Sequence, residues 1–135
     1  MRKAKLDPEV QSDLIRVTDF APDLVTALAT VGVAVHIPSG WSIMTEMTPG
    51  DSIYILLDGK VDIRKSGEVR RTLEPGDVFG EIALVDHRLR SASVVASTDV
   101  TAVRLEASAV AALININPAF ADTLRSTAAR RLESF

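Results

Sequence analysis

The sequence contains no cysteine, which excludes disulfide bonds and thiolate metal sites. Aromatic residues make up only 4% of its 135 residues, whereas hydrophobic residues as a whole make up 47%. Valine, leucine, isoleucine and alanine must therefore build the interior. A chain of this length predicts a single domain with one core.

The sequence also lacks an excess of positive charge, since its formal net charge is −3. This argues against a nucleic-acid partner, because nucleic-acid binders normally present a basic face. The N-terminal stretch "MRKAKLDPEV" has no apolar run behind its basic residues, so we do not expect a signal peptide. The most apolar region, residues 100–116, contains Arg104 and Glu106 and is too short to span a bilayer. We therefore expect a cytoplasmic protein without a membrane partner.

Three segments follow one another along the chain: an N-terminal helical segment at 1–32, strands at 33–106 and C-terminal helices at 107–135. Apolar residues recur at helical spacing in the first segment, where Pro22 suits a first helical turn. From Val33 onwards, at least seven short β-rich runs alternate with turn signals such as Pro49-Gly50-Asp51 and Pro75-Gly76-Asp77. This spacing predicts an antiparallel sandwich or jelly-roll barrel. Asn117-Pro118 predicts the start of a last helix that runs to Phe135.

The stretch "DVFGEIALVDHRLRSASV", residues 77–94, carries the residues most suggestive of binding. Gly80 has no Cβ and lets a ligand approach the backbone, and Ile82-Ala83-Leu84 could form a helical turn whose free N–H groups attract anions. Arg90 offers a donor fork for phosphate oxygens, with further donors on Ser91 and the backbone of Ala92. Glu81 is an acceptor suited to sugar hydroxyls. Together these residues predict a site for a compact phosphorylated ribose.

The motif "FGEIAL" followed by "RSASV" is similar to the phosphate-binding cassette of the cyclic nucleotide-binding domain family. The family's usual form is FGE-[LI]-A-L, a short variable loop and R-[ASTP]-A-x-V. The stretch from "FAPD" to "GKVDI" also resembles the family's N-terminal half, so the resemblance covers roughly residues 15–135. It implies a mainly β fold, an eight-stranded antiparallel jelly-roll barrel with N-terminal helices and two C-terminal helices, and a cassette at 78–92.

The resemblance also implies a role for each cassette residue. Glu81 would accept from the ribose 2′-hydroxyl and Arg90 would pair with the cyclic phosphate. Backbone contacts would come from Gly80, Ile82 and Ala83, with Ser91 and Ala92 at the phosphate. Ser91 could instead lie near a guanine base. The loop "VDHRL" keeps the family length but lacks its frequent glycine and the proline before the arginine, and no contact residue is lost.

The C-terminal helix carries one further candidate. Phe120, Leu124, Ala128 and Phe135 form one apolar stripe at helical spacing, and Arg131 falls in its middle. An arginine there could simply extend its charged end to solvent. In the family this helix closes as a lid over the base, which implies that Arg131 would stack its guanidinium on the purine.

Other interpretations remain open. Glu81 could be a first-turn carboxylate favoured by the helix dipole, and Arg90 a surface ion-pair partner. The domain would then be a degenerate cyclic nucleotide-binding fold that acts in protein interaction. A cupin-type metalloenzyme would have only His36 and His87 as histidine ligands.

The interpretation that accounts for most residues is a non-catalytic cyclic nucleotide sensor that needs no metal or cofactor. We expect a modest preference for cyclic AMP, with cyclic GMP as the second ligand, because no residue is obviously dedicated to the guanine edge. The family's transcription factors place a helix-turn-helix after the last helix, and none follows in this sequence. The expected partner is therefore a protein effector. The chain itself would be either a stand-alone adaptor or a domain of a longer chain.

Overall fold

The computed structural model describes residues 5–44, 52–80 and 93–122. Its helices are α1 (Pro8–Val17), α2 (Pro22–Val31) and α3 (Ala107–Ile116), and residues 119–122 are also helical. Its strands are β1 (Val33–Ile37), β2 (Ser42–Met44), β3 (Ser52–Asp58), β4 (Val61–Lys65), β5 (Glu68–Leu73), β6 (Val78–Phe79), β7 (Ser93–Ala96) and β8 (Val100–Glu106).

The strands form two four-stranded sheets, in the orders β1-β8-β3-β6 and β2-β7-β4-β5. Every pairing within them is antiparallel. The predicted mainly β fold of two antiparallel sheets with flanking helices is confirmed. Strand β6 was not expected from the sequence, because a run of only two residues shows no alternation.

The β1-β8-β3-β6 sheet is the middle layer of the domain. Along β3, Ile53, Ile55 and Leu57 pack in a cluster with the helices, whereas Tyr54 and Leu56 belong to the cluster shared with the other sheet. Successive side chains of a strand point to opposite faces, so a strand covered on both faces must be apolar at nearly every position. The run "IYILL" meets this requirement.

The helices cover the outer face of this sheet. Asp7 caps α1 by accepting from the backbone N–H groups of Glu9 and Val10, and its own N–H donates to the Ala29 carbonyl at the end of α2. Pro22 lies in the first turn of α2, as predicted. Phe120, after α3, is 1% exposed and packs in the same cluster.

Two further observations concern the surface. Trp41 is 64% exposed, and its carbonyl accepts from the Ala96 N–H. Within the ranges that the structure covers, no helix has the length and apolar character to cross a membrane.

The turn between β5 and β6 is fixed to both the barrel and the helices. Gly76 has a φ of +98°, and its N–H donates to the Leu56 carbonyl at 2.8 Å. A Cβ at this position would lie 2.2 Å from the Val17 carbonyl oxygen at the end of α1. Only glycine fits here, because the backbone is left-handed and the neighbour is main chain that cannot move aside.

We therefore expect Gly76→Ala to lower the free energy of unfolding by about 2–4 kcal/mol, the sum of left-handed strain and overpacking. Gly67→Ala is the matched control, since Gly67 has a φ of +80° but nothing within 4 Å of an added Cβ. That variant should lose only about 1–2 kcal/mol. Urea denaturation of both variants measures the difference. Equal losses would show that the contact with α1 does not constrain this turn.

Candidate functional site

The chain enters the predicted cassette from β6, at the edge of the middle sheet. Val78 and Phe79 are 5% and 0% exposed and pair with Ile55 and Tyr54 of β3. The Phe79 and Tyr54 rings stack with their centroids 5.1 Å apart and an interplanar angle of 6°. This aromatic pair holds the short strand in place, since two residues of ladder alone give little stability.

Gly80 follows directly and has a φ of +93°. Residues other than glycine rarely adopt this backbone conformation, so the glycine is required for the chain to turn away from β6. The backbone conformation thus accounts for the glycine at this position, and its predicted contact with a ligand stays a prediction.

The turn at residues 74–77 fixes where β6 begins. The Asp77 carboxylate accepts from the Glu74 N–H at 2.9 Å, and the Asp77 carbonyl accepts from the Leu56 N–H at 2.9 Å. These bonds join the turn to β3 of the middle sheet. The start of the cassette is therefore positioned by the barrel core and not by a free loop.

The chain leaves the cassette in the other sheet. Strand β7 lies between β2 and β4, and its residues Val94 and Ala96 are 4% and 1% exposed. Residues 81–92 therefore connect an edge strand of one sheet to an inner strand of the other. Both ends of this connection are anchored in buried strands.

The structure describes one of the predicted site residues, Gly80. Outside the described residues lie Glu81, Ile82, Ala83, Arg90, Ser91, Ala92 and Arg131. Their predicted roles stay predictions. The sequence did not single out Tyr54, whose stacking on Phe79 supports the strand before Gly80; its position within an apolar strand gave no sign of this.

The described residues also bear on the metalloenzyme alternative. Within 5–44, 52–80 and 93–122, no group of three or more histidine, aspartate or glutamate side chains is arranged to hold a metal ion. The His36 ring nitrogen Nδ1 lies 3.1 Å from Thr101 Oγ1. A surface cavity of about 370 Å³ beside it is lined by His36, Ile37, Pro38, Asp58, Asp99, Val100 and Thr101.

These features define a jelly-roll domain in which the segment rich in candidate phosphate-binding groups connects an edge strand of one sheet to an inner strand of the other. The family model described as "Cyclic nucleotide-binding domain" matches residues 34–117. The chain therefore belongs to the cyclic nucleotide-binding domain family, as the resemblance indicated.

Comparison with individual proteins supports this. The chain is 34% identical over 116 residues to a CRP-like cAMP-activated global transcriptional regulator of Mycobacterium tuberculosis, a match that covers 82% of this chain and 52% of the regulator. It is 42% identical over 74 residues to a cAMP-dependent protein kinase regulatory subunit of Aspergillus niger, covering 53% of this chain and 18% of the subunit. The chain thus spans about half of the length of the first relative and less of the second.

The fold matches a solved structure of the same kind. A cyclic nucleotide-binding domain from Methylobacillus flagellatus has a TM-score of 0.75 and 26% sequence identity to this chain. The match covers 93% of this chain and 78% of that domain. The double-sheet architecture with flanking helices is therefore the one found in this family.

The aromatic pair before Gly80 generates a stability prediction. Phe79→Ala should lower the free energy of unfolding by about 3–5 kcal/mol, because it removes a fully buried ring and leaves a cavity beside Tyr54. Tyr54→Phe keeps the ring pair and should change the stability by less than about 0.5 kcal/mol. Urea denaturation compares the two variants. A loss below about 1 kcal/mol for Phe79→Ala would mean that β6 is not held by this pair.

Proposed function

We propose that this chain is a non-catalytic regulatory domain that binds a 3′,5′-cyclic nucleotide, with cyclic AMP as the preferred ligand. One observation carries the proposal. The motif FGEIAL…RSASV begins at an anchored edge strand with a positive-φ glycine and ends at an inner strand of the opposite sheet, in a chain of the cyclic nucleotide-binding domain family.

The proposed binding chemistry uses opposite charges for the two parts of the ligand. Arg90 donates its guanidinium fork to the cyclic phosphate, and the small side chains of Ser91 and Ala92 leave their N–H groups accessible to the same oxygens. Glu81 accepts from the ribose 2′-hydroxyl. Gly80, Ile82 and Ala83 contribute backbone groups. A cyclic nucleotide can contact Arg90 and Glu81 at the same time because its phosphate is fused to its ribose.

Cyclic AMP is proposed first for two reasons. The cassette offers no residue dedicated to the guanine edge except the hydroxyl of Ser91. In addition, the two similar relatives are named as a cAMP-activated regulator and a cAMP-dependent kinase subunit. The preference over cyclic GMP is proposed to be modest, because Ser91 can serve the exocyclic amine of guanine.

Regulation is proposed to work through the C-terminal helix. Phe120 fixes the start of that segment in the core between the helices and the middle sheet. Beyond it, Arg131 would stack on the purine of the bound ligand and draw the helix over the base. The ligand can shift the helix only by its difference in affinity for the closed and open states. A protein effector that senses the helix position is the expected partner.

Titration calorimetry with cyclic AMP, cyclic GMP and 5′-AMP tests the binding. Both cyclic nucleotides should bind, with 5′-AMP much weaker. Arg90→Ala should weaken cyclic AMP binding by about 1.5–3 kcal/mol, the range for a hydrogen bond to a charged group. The matched control is Arg16→Ala, which removes an exposed arginine paired with Asp13 on α1 and should leave the affinity unchanged. Unchanged affinity in the Arg90 variant would overturn the proposal.

The lid role of Arg131 has its own test. Cyclic AMP should increase the amide protection of residues 128–135 in hydrogen exchange, and Arg131→Ala should abolish that increase. The same variant should lower the affinity by roughly 0.5–2 kcal/mol, the scale of a partly desolvated cation–π contact. Arg130→Ala is the control, because helical spacing would place that side chain off the apolar stripe. Equal protection with and without ligand would exclude a lid at Arg131.

A further inference from the structure

The surface cavity beside His36 lies apart from the proposed cyclic nucleotide site. Its volume of about 370 Å³ is within the usual range for ligand pockets, and it lies where β3 ends at Asp58. Gly80 lies toward the other end of β3, because β6 runs antiparallel to β3 with Phe79 opposite Tyr54. Tyr54 and Asp58 are about 13 Å apart along an extended strand. The cavity is therefore a separate place on the surface.

Three polar side chains form one row across this cavity. The register places His36 of β1 opposite Thr101 of β8, and Thr101 opposite Asp58 of β3. Residues directly opposite one another in antiparallel strands share a face. His36 and Asp58 are exposed and Thr101 is half-buried. An incoming group can therefore reach all three strands at this row.

The polar row lies on the face of the sheet that the helices cover elsewhere. On that face, Ala34 lies opposite Val103, which lies opposite Ile55, and all three belong to the cluster formed with the helices. Thr101 comes two positions before Val103 on β8 and so projects from the same face. In the part of the chain that the structure describes, the helical cover thus ends between these two rows.

A β-bulge turns Asp58 into the polar row. Ile55 and Leu57 pack with the helices and Leu56 packs in the barrel core, so plain alternation would point the next side chain toward the core. The register instead shifts between Leu56 and Asp58. Bulges re-aim side chains and are frequent beside functional sites. The bulge thus places a carboxylate at the cavity that a regular strand would direct inward.

The cavity carries negative charge that no described cation compensates. Asp58 and Asp99 both line it, and no described lysine or arginine does. Neither carboxylate forms an ion pair within the ranges that the structure covers, and the neighbouring Lys60 pairs with Glu74 at 3.8 Å. The Asp99 Oδ1 atom accepts from the Ser39 N–H at 3.0 Å, which fixes that side chain. Two like charges at one cavity repel each other and attract a cation.

The turns that carry the two carboxylates are bonded to each other. The Lys60 N–H donates to Thr98 Oγ1 at 3.0 Å, and the Ser97 N–H donates to the Lys60 carbonyl at 3.0 Å. These bonds hold the turn at residues 58–60 against the turn at residues 97–99. Asp58 and Asp99 therefore keep their places without a ligand, and a preformed site loses little conformational freedom on binding.

An exposed tryptophan beside the cavity favours a protein as the partner. Trp41 is the only tryptophan of the chain and is 64% exposed. Its N–H donates to the carbonyl of Pro38, which lines the cavity, at 3.2 Å. Tryptophan is strongly enriched among the residues that contribute most to binding at protein interfaces. This surface therefore fits a partner that presents a cation next to an apolar side chain.

From these observations we propose that the cavity binds an arginine side chain of a protein partner. The guanidinium matches carboxylate geometry better than a lysine ammonium does, so it can serve Asp58 and Asp99 together. Its alkyl stem can pack on Ile37 and Pro38, which also line the cavity. Among the described residues, no group of three or more histidine, aspartate or glutamate side chains could hold a metal ion, which favours an organic cation. The proposal does not depend on cyclic nucleotide binding.

Nuclear magnetic resonance titration with N-acetylarginine amide tests the charge of the site. Saturable shifts should be confined to the amides around the cavity, namely those of His36, Asp58, Asp99 and Thr101. N-acetylcitrulline amide, which has the same shape without the charge, should give none. N-acetyllysine amide should bind more weakly. Equal shifts from citrulline, or tighter binding of lysine, would overturn the choice of an arginine.

Asp58→Asn should weaken the binding of N-acetylarginine amide by about threefold to tenfold, the scale of an exposed charged hydrogen bond. It should leave the affinity for cyclic AMP unchanged. Asp19→Asn is the matched control, because it removes the same charge from an exposed aspartate between α1 and α2 that forms no ion pair within the described ranges. Equal weakening by the two variants would mean that only the net charge of the chain attracts the probe.

Two further measurements identify the source of the arginine. Acetyl-Arg-Leu amide should bind more tightly than acetyl-Arg-Gly amide, and Trp41→Ala should remove that difference. Equal affinities of the two dipeptides for the parent chain would mean that the cavity takes a free cation, and the proposal of a protein partner would be wrong. Sedimentation of the parent should show no dimer that depends on Asp58. A dimer lost in Asp58→Asn would assign the cavity to a second copy of this chain instead.

Discussion

The whole domain depends on one sheet that is buried on both faces. Strand β3 and its neighbour β8 form the centre of the sheet in the order β1-β8-β3-β6, with the helices on one side and the second sheet on the other. Burial on both faces leaves few places for polar side chains within these strands. Function must therefore be located at the edges of the sheet and in the connections between sheets.

The edge strand β6 shows how this constraint sets the position of the candidate site. Two residues cannot form a stable strand by hydrogen bonding alone. Here Phe79 stacks on Tyr54 and is fully buried, and the preceding turn is bonded to Leu56. The backbone conformation of Gly80 is thus imposed by core packing. A ligand contact built directly on such a framework needs less ordering when the ligand binds.

Much of this architecture could be predicted from the sequence because its signals are local. Alternation and turn residues indicated strands from Val33 onwards, and apolar spacing with Pro22 indicated helix before them, where the structure has α1 and α2. Strand β6 was missed because a strand of two residues is too short to show alternation. For the site, the cassette motif identified the family and Gly80, whereas the roles of Glu81, Arg90 and Arg131 depend on residues outside those described.

Arg71 illustrates what only the register can reveal. In the sequence it is one of two adjacent arginines in "EVRRTL", and nothing local distinguishes them. A register irregularity between Ile63 and Arg64 prevents a simple count along the hairpin from assigning the faces. Once the pairing is known, Arg71 extends a row of buried side chains, while Arg70 forms a surface ion pair with Glu68. The face on which a strand residue lies thus follows from the register of the sheet and not from its neighbours in the sequence.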